Sequence, residues 1–187
     1  MKKRALALIV LVCLACAVLS GCGDSSTDET PEARAAANAI AVGIAQDLDD
    51  SLDPHKTVKA GTREVMFNVF EGLMKPTPDG DLIPAVAESY TVSDDHKTYT
   101  FTLREGVQFH NGEPVTAEDV VYSIQRCPAA TETGIVPVEA FSAITDIQAV
   151  DERTVTITLS EPSNEFISYM TTAILPADYD QQDTAPI

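Results

Sequence analysis

The sequence predicts an α/β chain, and three stretches carry that reading. Tyr99, Phe101 and Leu103 alternate with Thr98, Thr100 and Thr102, the period-2 pattern of a half-buried strand. Thr116 stands three residues before Asp119, a capping-box spacing with Asp in place of Glu or Gln. Behind that cap Val120, Val121, Ile124 and Cys127 recur on one helical face. The third stretch is a hairpin plan used twice. Tyr90 and Val92 lead through Ser93-Asp94-Asp95-His96-Lys97 into the Tyr99 strand. Ile147 and Ala149 lead through Asp151-Glu152-Arg153 into Val155, Ile157 and Leu159. No fixed period links the two hairpins, so they read as parts of one small sheet rather than as a repeat protein.

From the N-terminus, Met1-Lys2-Lys3-Arg4 is a basic start, and Ala5 to Val18 is an apolar run of about fourteen residues. That run is short for a bilayer span and right for a signal-peptide core. It ends in Leu19-Ser20-Gly21-Cys22, which resembles a bacterial lipobox. The predicted signal is residues 1–21, and Cys22 is the predicted lipid attachment site. A mature lipoprotein carries two or three acyl chains, enough for stable anchoring. Cys13 and Cys16 would leave with the signal and Cys22 would be acylated. Only Cys127 of the four cysteines would then remain, and no intrachain disulfide could form despite an oxidising compartment. Residues 22–38 are small, polar and acidic, and read as a flexible tether. A short Ala-rich helix over residues 31–39 is the alternative.

Ala39 to Ala45 is an apolar run expected to be the first buried strand. In Ser51-Leu52-Asp53-Pro54-His55-Lys56, Pro54 biases Asp53 toward an extended backbone and stiffens a turn. Thr62 to Met74 places Val65, Met66, Val69, Phe70 and Leu73 at helical spacing, a stripe that core packing explains. Thr77-Pro78-Asp79-Gly80 is a turn by composition, and Gly106 and Gly112 are expected to serve turns too. Toward the end, Ser163 is the expected cap of a short helix carrying Phe166, Ile167 and Met170. Ala173 to Pro176 reads as an apolar, strand-like exit.

Charge and missing motifs exclude whole classes of function. The signal holds three of the 12 basic residues and none of the 29 acidic ones, which leaves nine against 29, a formal charge of −20. Nucleic-acid binding needs Lys and Arg to neutralise phosphates, so no nucleic-acid partner is expected. A solvated acidic surface accounts for the charge, and steering of cationic solutes is the other reading. His55, His96 and His110 are scattered, with no His or Cys at metal-ligand spacing. There is no Gly-rich phosphate loop and no nucleophile elbow. Asp49-Asp50 and Asp94-Asp95 read as turn chemistry. The chain is expected not to be an enzyme and to carry no cofactor and no metal.

Several segments share the wording of one family. Phe101-Thr102-Leu103-Arg104-Glu105-Gly106-Val107, Phe109-His110-Asn111-Gly112 and Thr116-Ala117-Glu118-Asp119-Val120-Val121-Tyr122-Ser123 agree in one register. Leu52-Asp53-Pro54, Phe70-Glu71-Gly72-Leu73, Pro84 to Ser89 and Leu159-Ser160-Glu161-Pro162 add to them. Together they resemble the family 5 extracellular solute-binding proteins, the peptide- and nickel-binding components of bacterial ABC importers. The resemblance implies a periplasmic-binding-protein-like two-lobed fold of type II with an inserted α+β subdomain. Residues 39–64 would start the main lobe, residues 65–161 would form the inserted subdomain, and residues 162–187 would return to the main lobe. Only the N-terminal part of the family pattern is covered, so a fragment is expected.

The function so implied is capture of a peptide, or a related small solute, outside the membrane for delivery to ABC permease subunits. A truncated remnant, or a surface lipoprotein that binds a protein partner, is the alternative. In relatives the loop just beyond Leu-Asp-Pro lines the ligand cleft. Thr57, Val58, Lys59, Ala60 and Gly61 are therefore the candidate wall, assigned by location alone.

Overall fold

The computed structural model describes Gly43, residues 50–127 and residues 134–181. The expected signal, Cys22, the tether and, apart from Gly43, the first buried strand lie outside the described residues.

Helix α1 spans Ala60–Val69, two residues earlier than the apolar spacing predicts at its start and five earlier at its end. Its N-terminus is held by Asp50, whose Oδ2 accepts the Val58 and Lys59 N–H groups at 2.7 and 2.6 Å. A carboxylate there holds the N-cap amide and the one before it, next to the positive end of the helix dipole. The helix stops at Phe70, which turns extended (φ −116°, ψ 146°). Leu73 and Met74, expected on the helix, are buried beyond it.

Gly72 explains the stop. A Cβ there would lie 2.5 Å from the Met170 carbonyl oxygen and 2.7 Å from that of Thr172. Only glycine lets these backbones meet, with Ile174 N–H donating to Glu71 O at 2.9 Å. Gly72→Ala is expected to cost about 1–3 kcal/mol of unfolding free energy, as overpacking does. Its midpoint in a urea titration checks this, and a wild-type midpoint would mean the two backbones are not in contact.

Strands β1 (Met74–Pro76) and β2 (Leu82–Pro84) form a small antiparallel pair around the Thr77–Gly80 turn, where Gly80 N–H donates to Thr77 O at 3.0 Å. The main sheet holds β3 (Ala87–Val92), β4 (Thr98–Leu103), β5 (Ile144–Ala149) and β6 (Thr154–Leu159). All pairs are antiparallel and the order is β3-β4-β6-β5. The two predicted hairpins therefore share one sheet, as expected.

On the two central strands the alternation is complete. Tyr99, Phe101, Leu103, Val155, Ile157 and Leu159 are buried on one face. Thr98, Thr100 and Thr102 pair with Thr158, Thr156 and Thr154 on the other. Because side chains alternate along each strand, one register satisfies both faces.

Helix α2 spans Ala117–Arg126 and covers the apolar face with Ala117, Val120 and Ile124. Asp119 Oδ2 accepts the Thr116 N–H and the Thr116 hydroxyl, both at 2.8 Å. The predicted cap is present, and its carboxylate arm holds the Thr116 N–H. Gly106 and Gly112 sit in turns at φ +74° and +89°, as predicted.

Phe166 and Met170 complete the core from a 3-10 turn, Phe166–Thr171. Its N-cap is Glu165, not Ser163. Ser163 is instead engaged through its backbone: its N–H donates to His96 O at 3.2 Å and its carbonyl accepts the Tyr99 hydroxyl. Residues 173–176 form no strand. Their backbone is tied to side chains and loops rather than to a ladder, with Leu175 N–H donating to Ser123 Oγ at 2.8 Å.

Candidate functional site

The Leu-Asp-Pro element builds one side of the site. Asp53 Oδ1 accepts the His55 N–H at 2.9 Å, and Asp53 O accepts the Lys56 and Thr57 N–H groups at 2.9 and 3.1 Å. This is an Asx-type turn, made rigid by Pro54. Thr57 closes it, its Oγ1 lying within hydrogen-bond reach of the Ser51 and Asp53 carbonyl oxygens at 2.7 and 2.8 Å.

The five predicted wall residues are thus a turn followed by the first turn of α1. Thr57 is buried, Val58 is 62% exposed, Lys59 is the N-cap, and Ala60 and Gly61 are helical. Thr57, Val58 and Ala60 line an open groove of about 720 Å³, while Lys59 and Gly61 do not. Met66, Phe67 and Phe70 from α1 line it too, as do Val136, Val138 and the Thr171–Ala173 segment.

Beneath the groove lies a polar cluster that the sequence reading did not find. Arg126, the last residue of α2, is buried. Its Nη1 donates to Asp53 Oδ1 at 3.1 Å and its Nη2 to Asp53 Oδ2 at 2.7 Å. Its Nε and Nη2 donate to Asp180 Oδ2 and Oδ1 at 2.9 and 2.7 Å. The fifth bond goes from Nη1 to His55 Nδ1 at 3.1 Å. A guanidinium has five N–H donors, and here each has an acceptor. The Tyr179 ring lies 5.3 Å from the guanidinium carbon, and the Tyr122 hydroxyl donates to Asp180 Oδ2 at 2.7 Å.

Because arginine cannot accept a hydrogen bond, His55 Nδ1 must be the acceptor. The imidazole is therefore neutral, with its proton on Nε2, which donates to Ala173 O at 2.8 Å.

The electrostatics follow from these contacts. Burial pushes His55 below its usual pKa, against the pull of Ala173 O, and Arg126 adds to the lowering. The Arg126 hydrogen bonds bring Asp180 down to about 2, against a smaller opposing effect of burial. For Asp53, burial pushes upward, but the Arg126 and His55 N–H donors outweigh it and the carboxyl ends below its ordinary value. Burial lifts the Cys127 thiol to about 11, so it packs rather than reacts.

One signal for the cluster was in the sequence: Asp119, Ser123 and Arg126 stand at i, i+4 and i+7. That is a second, polar stripe on α2, and all three side chains are buried. Among the described residues no group of three or more His, Cys, Asp and Glu could hold a metal ion.

A family model described as "Bacterial extracellular solute-binding proteins, family 5 Middle" matches residues 81–186, more than half of the chain. The chain belongs to this family. The periplasmic oligopeptide-binding protein OppA of Escherichia coli is 39% identical over 128 residues, 60% of this chain and 23% of that protein. The Agrobacterium tumefaciens binding protein AgaA, solved with agropinic acid, is 37% identical with a TM-score of 0.60, over 67% of this chain and 27% of that one. Haemophilus influenzae OppA, solved with the peptide RPPGFSPFR, is 28% identical with a TM-score of 0.65, over 72% of this chain and 30% of that one. The family chain therefore carries part of the periplasmic-binding-protein-like α/β fold of type II, as the resemblance implied. It spans about a quarter of the length of the curated relatives it matches.

Proposed function

We propose that this chain belongs to the substrate-binding component of an ABC importer, capturing peptides or a related small solute outside the membrane and handing them to the permease. The family match across residues 81–186 is the observation that supports this most directly. The peptide-binding OppA relatives favour peptides as the solute, and the agropinic acid complex of AgaA keeps other small solutes in view. In this reading residues 65–161 are the inserted subdomain of a two-lobed receptor. Residues 39–64 and 162–187 belong to the main lobe. The groove beside Thr57, Val58 and Ala60 contributes to one wall of the cleft, and Lys59 and Gly61 support that wall from the first turn of α1. Peptides suit such a cleft because extended main chain can be held by backbone hydrogen bonds that tolerate many side chains. Closure of two lobes around the solute is the signal a permease can read.

Uptake of labelled di- to pentapeptides in cells lacking the gene tests this. Import should fall strongly and return on complementation. Unchanged uptake of these peptides and of other small solutes would favour the remnant or protein-binding alternative.

The same reading places Cys22 at the mature N-terminus, carrying lipid and holding the domain at the membrane. The basic start, the short apolar run and Leu19-Ser20-Gly21-Cys22 support it. Cells fed labelled palmitate should label the protein, and Cys22→Ser should abolish the label. Full labelling of that variant would exclude this anchor.

A further inference from the structure

The Arg126 cluster joins three places far apart in the sequence. Asp53 and His55 lie on the loop before α1, Arg126 ends α2, and Ala173 and Asp180 lie on the segment that follows the sheet. The separations are 73 residues for Arg126–Asp53 and 54 for Arg126–Asp180. With all five donors engaged, the guanidinium fixes both carboxylates and the imidazole in one plane-by-plane arrangement. The Asp53 carbonyl then fixes Lys56 and Thr57 through their N–H groups. Thr57 and the two N–H groups that Asp50 accepts hand that placement on to the start of α1.

We propose that Arg126, acting through Asp53 and the neutral imidazole of His55, is the positioning residue for the Thr57–Gly61 wall, and that protonation of His55 releases it. The naming of those residues as a cleft wall rests on the function proposed above. The latch itself rests on the geometry alone.

The acid sensitivity has a chemical cause. A protonated imidazole is a donor at both nitrogens. His55 Nδ1 would then face Arg126 Nη1, donor against donor and cation against cation, at 3.1 Å. The groups around the ring pull in both directions. Arg126 from α2 opposes the proton. Asp53 from its own loop and Asp180 from the closing segment favour it. Lys56 stands 3.7 Å from Asp53, Tyr179 covers the guanidinium, and Cys127 lines the groove beside His55. Burial and Arg126 prevail, and the ring pKa is lowered.

The sign of the pH effect follows by linkage. Opening the loop exposes His55 to water, where it binds a proton near its ordinary pKa, while the closed form resists the proton. Acidification below that pKa therefore favours the open form. For an ordinary pKa of about 6.5, moving from pH 7 to pH 5 should weaken closure by up to about 25-fold, the limit for a closed form that takes up no proton. Asp53 and Asp180 do not contribute in that range, because their ordinary value of 3.8 lies below it and the cluster lowers both. The other two histidines, His96 and His110, are exposed at turns.

The test is amide hydrogen exchange on the whole chain at pH 7 and pH 5, corrected for intrinsic rates. The amides read are His55, Lys56, Thr57, Val58 and Lys59. Their protection should fall in the wild type, by up to about 25-fold. In His55→Gln the carboxamide can accept from Arg126 and donate to Ala173 O without titrating, so protection should stay flat. The 15N shifts of His55 at pH 7 should report the tautomer protonated on Nε2. Flat protection in the wild type, the same decline in His55→Gln, or a His55 ring charged at pH 7 would each overturn the latch. None of these readouts involves a peptide, so failure of the latch and failure of the import reading are separate results.

Discussion

Arg126→Met should destabilise the chain by about 3–5 kcal/mol, because it removes the cation that hydrogen-bonds both carboxylates of the cluster and leaves Asp53 with the more exposed Lys56 at 3.7 Å. Methionine preserves most of the side-chain volume, so the loss comes from unpaired charge rather than from a cavity. The burden falls on Asp53, whose side chain is 11% exposed, more than on Asp180, at 52%. Asp180 can recover water, which places the expected cost toward the lower end of the range. Arg126→Lys should recover little. A lysine has three donors on one point charge and cannot hold two carboxylates side by side while also bonding an imidazole.

The pH dependence gives this prediction its sign. In the wild type both carboxyls have lowered pKa values. They contribute stability that is complete above the unfolded value of 3.8 and is lost as the pH falls toward about 2. Without Arg126 the buried Asp53 is expected to hold a proton more readily, so the variant should lose less on acidification. Urea titrations at pH 7 and pH 3.5 should show the gap between wild type and Arg126→Met narrowing at the lower pH. A gap that is small at pH 7, or that widens in acid, would mean that the ion pairs are not what holds this corner of the fold.

The parts of the fold that could be read from sequence are those that local chemistry decides. The strand alternation at Tyr99 to Leu103 and Val155 to Leu159 needs only the pleat. The Thr116–Asp119 cap needs only a carboxylate three residues along the chain, and the turns at Gly106 and Gly112 need only a residue that tolerates positive φ. The end of α1 was misplaced because the apolar spacing continues past Val69. What stops the helix is Gly72 meeting the Met170–Thr172 backbone, about a hundred residues away. The same holds for the site. Pro54 announced a turn, but nothing beside Asp53 in the sequence says that an arginine 73 residues on will bind it. The family resemblance carried function further than spacing could. It supplied the expected neighbourhood of Thr57 to Gly61, while the contacts beneath that neighbourhood had to be seen.

The second large effect tests the register of the central strands, and it uses two adjacent residues. Phe101 is fully buried, stacks with Tyr90 at 5.7 Å between ring centroids, and pairs across β4 and β6 with Val155. Phe101→Ala should cost about 3–5 kcal/mol, since it removes the ring's transfer free energy and leaves a cavity in the core. Thr100 points the other way and pairs with Thr156 on the half-buried outer face. Thr100→Ala forfeits strand propensity and one cross-strand pair, so it should cost about 1 kcal/mol or less. A shift of one residue in pairing would exchange the faces and reverse the two values. Urea midpoints measured at a common slope read the contrast directly. Equal losses would mean that the threonine face is covered in solution. A larger loss at Thr100 would mean that β4 is threaded through the sheet with its faces exchanged, and Tyr99, Phe101 and Leu103 could not then be its buried side chains.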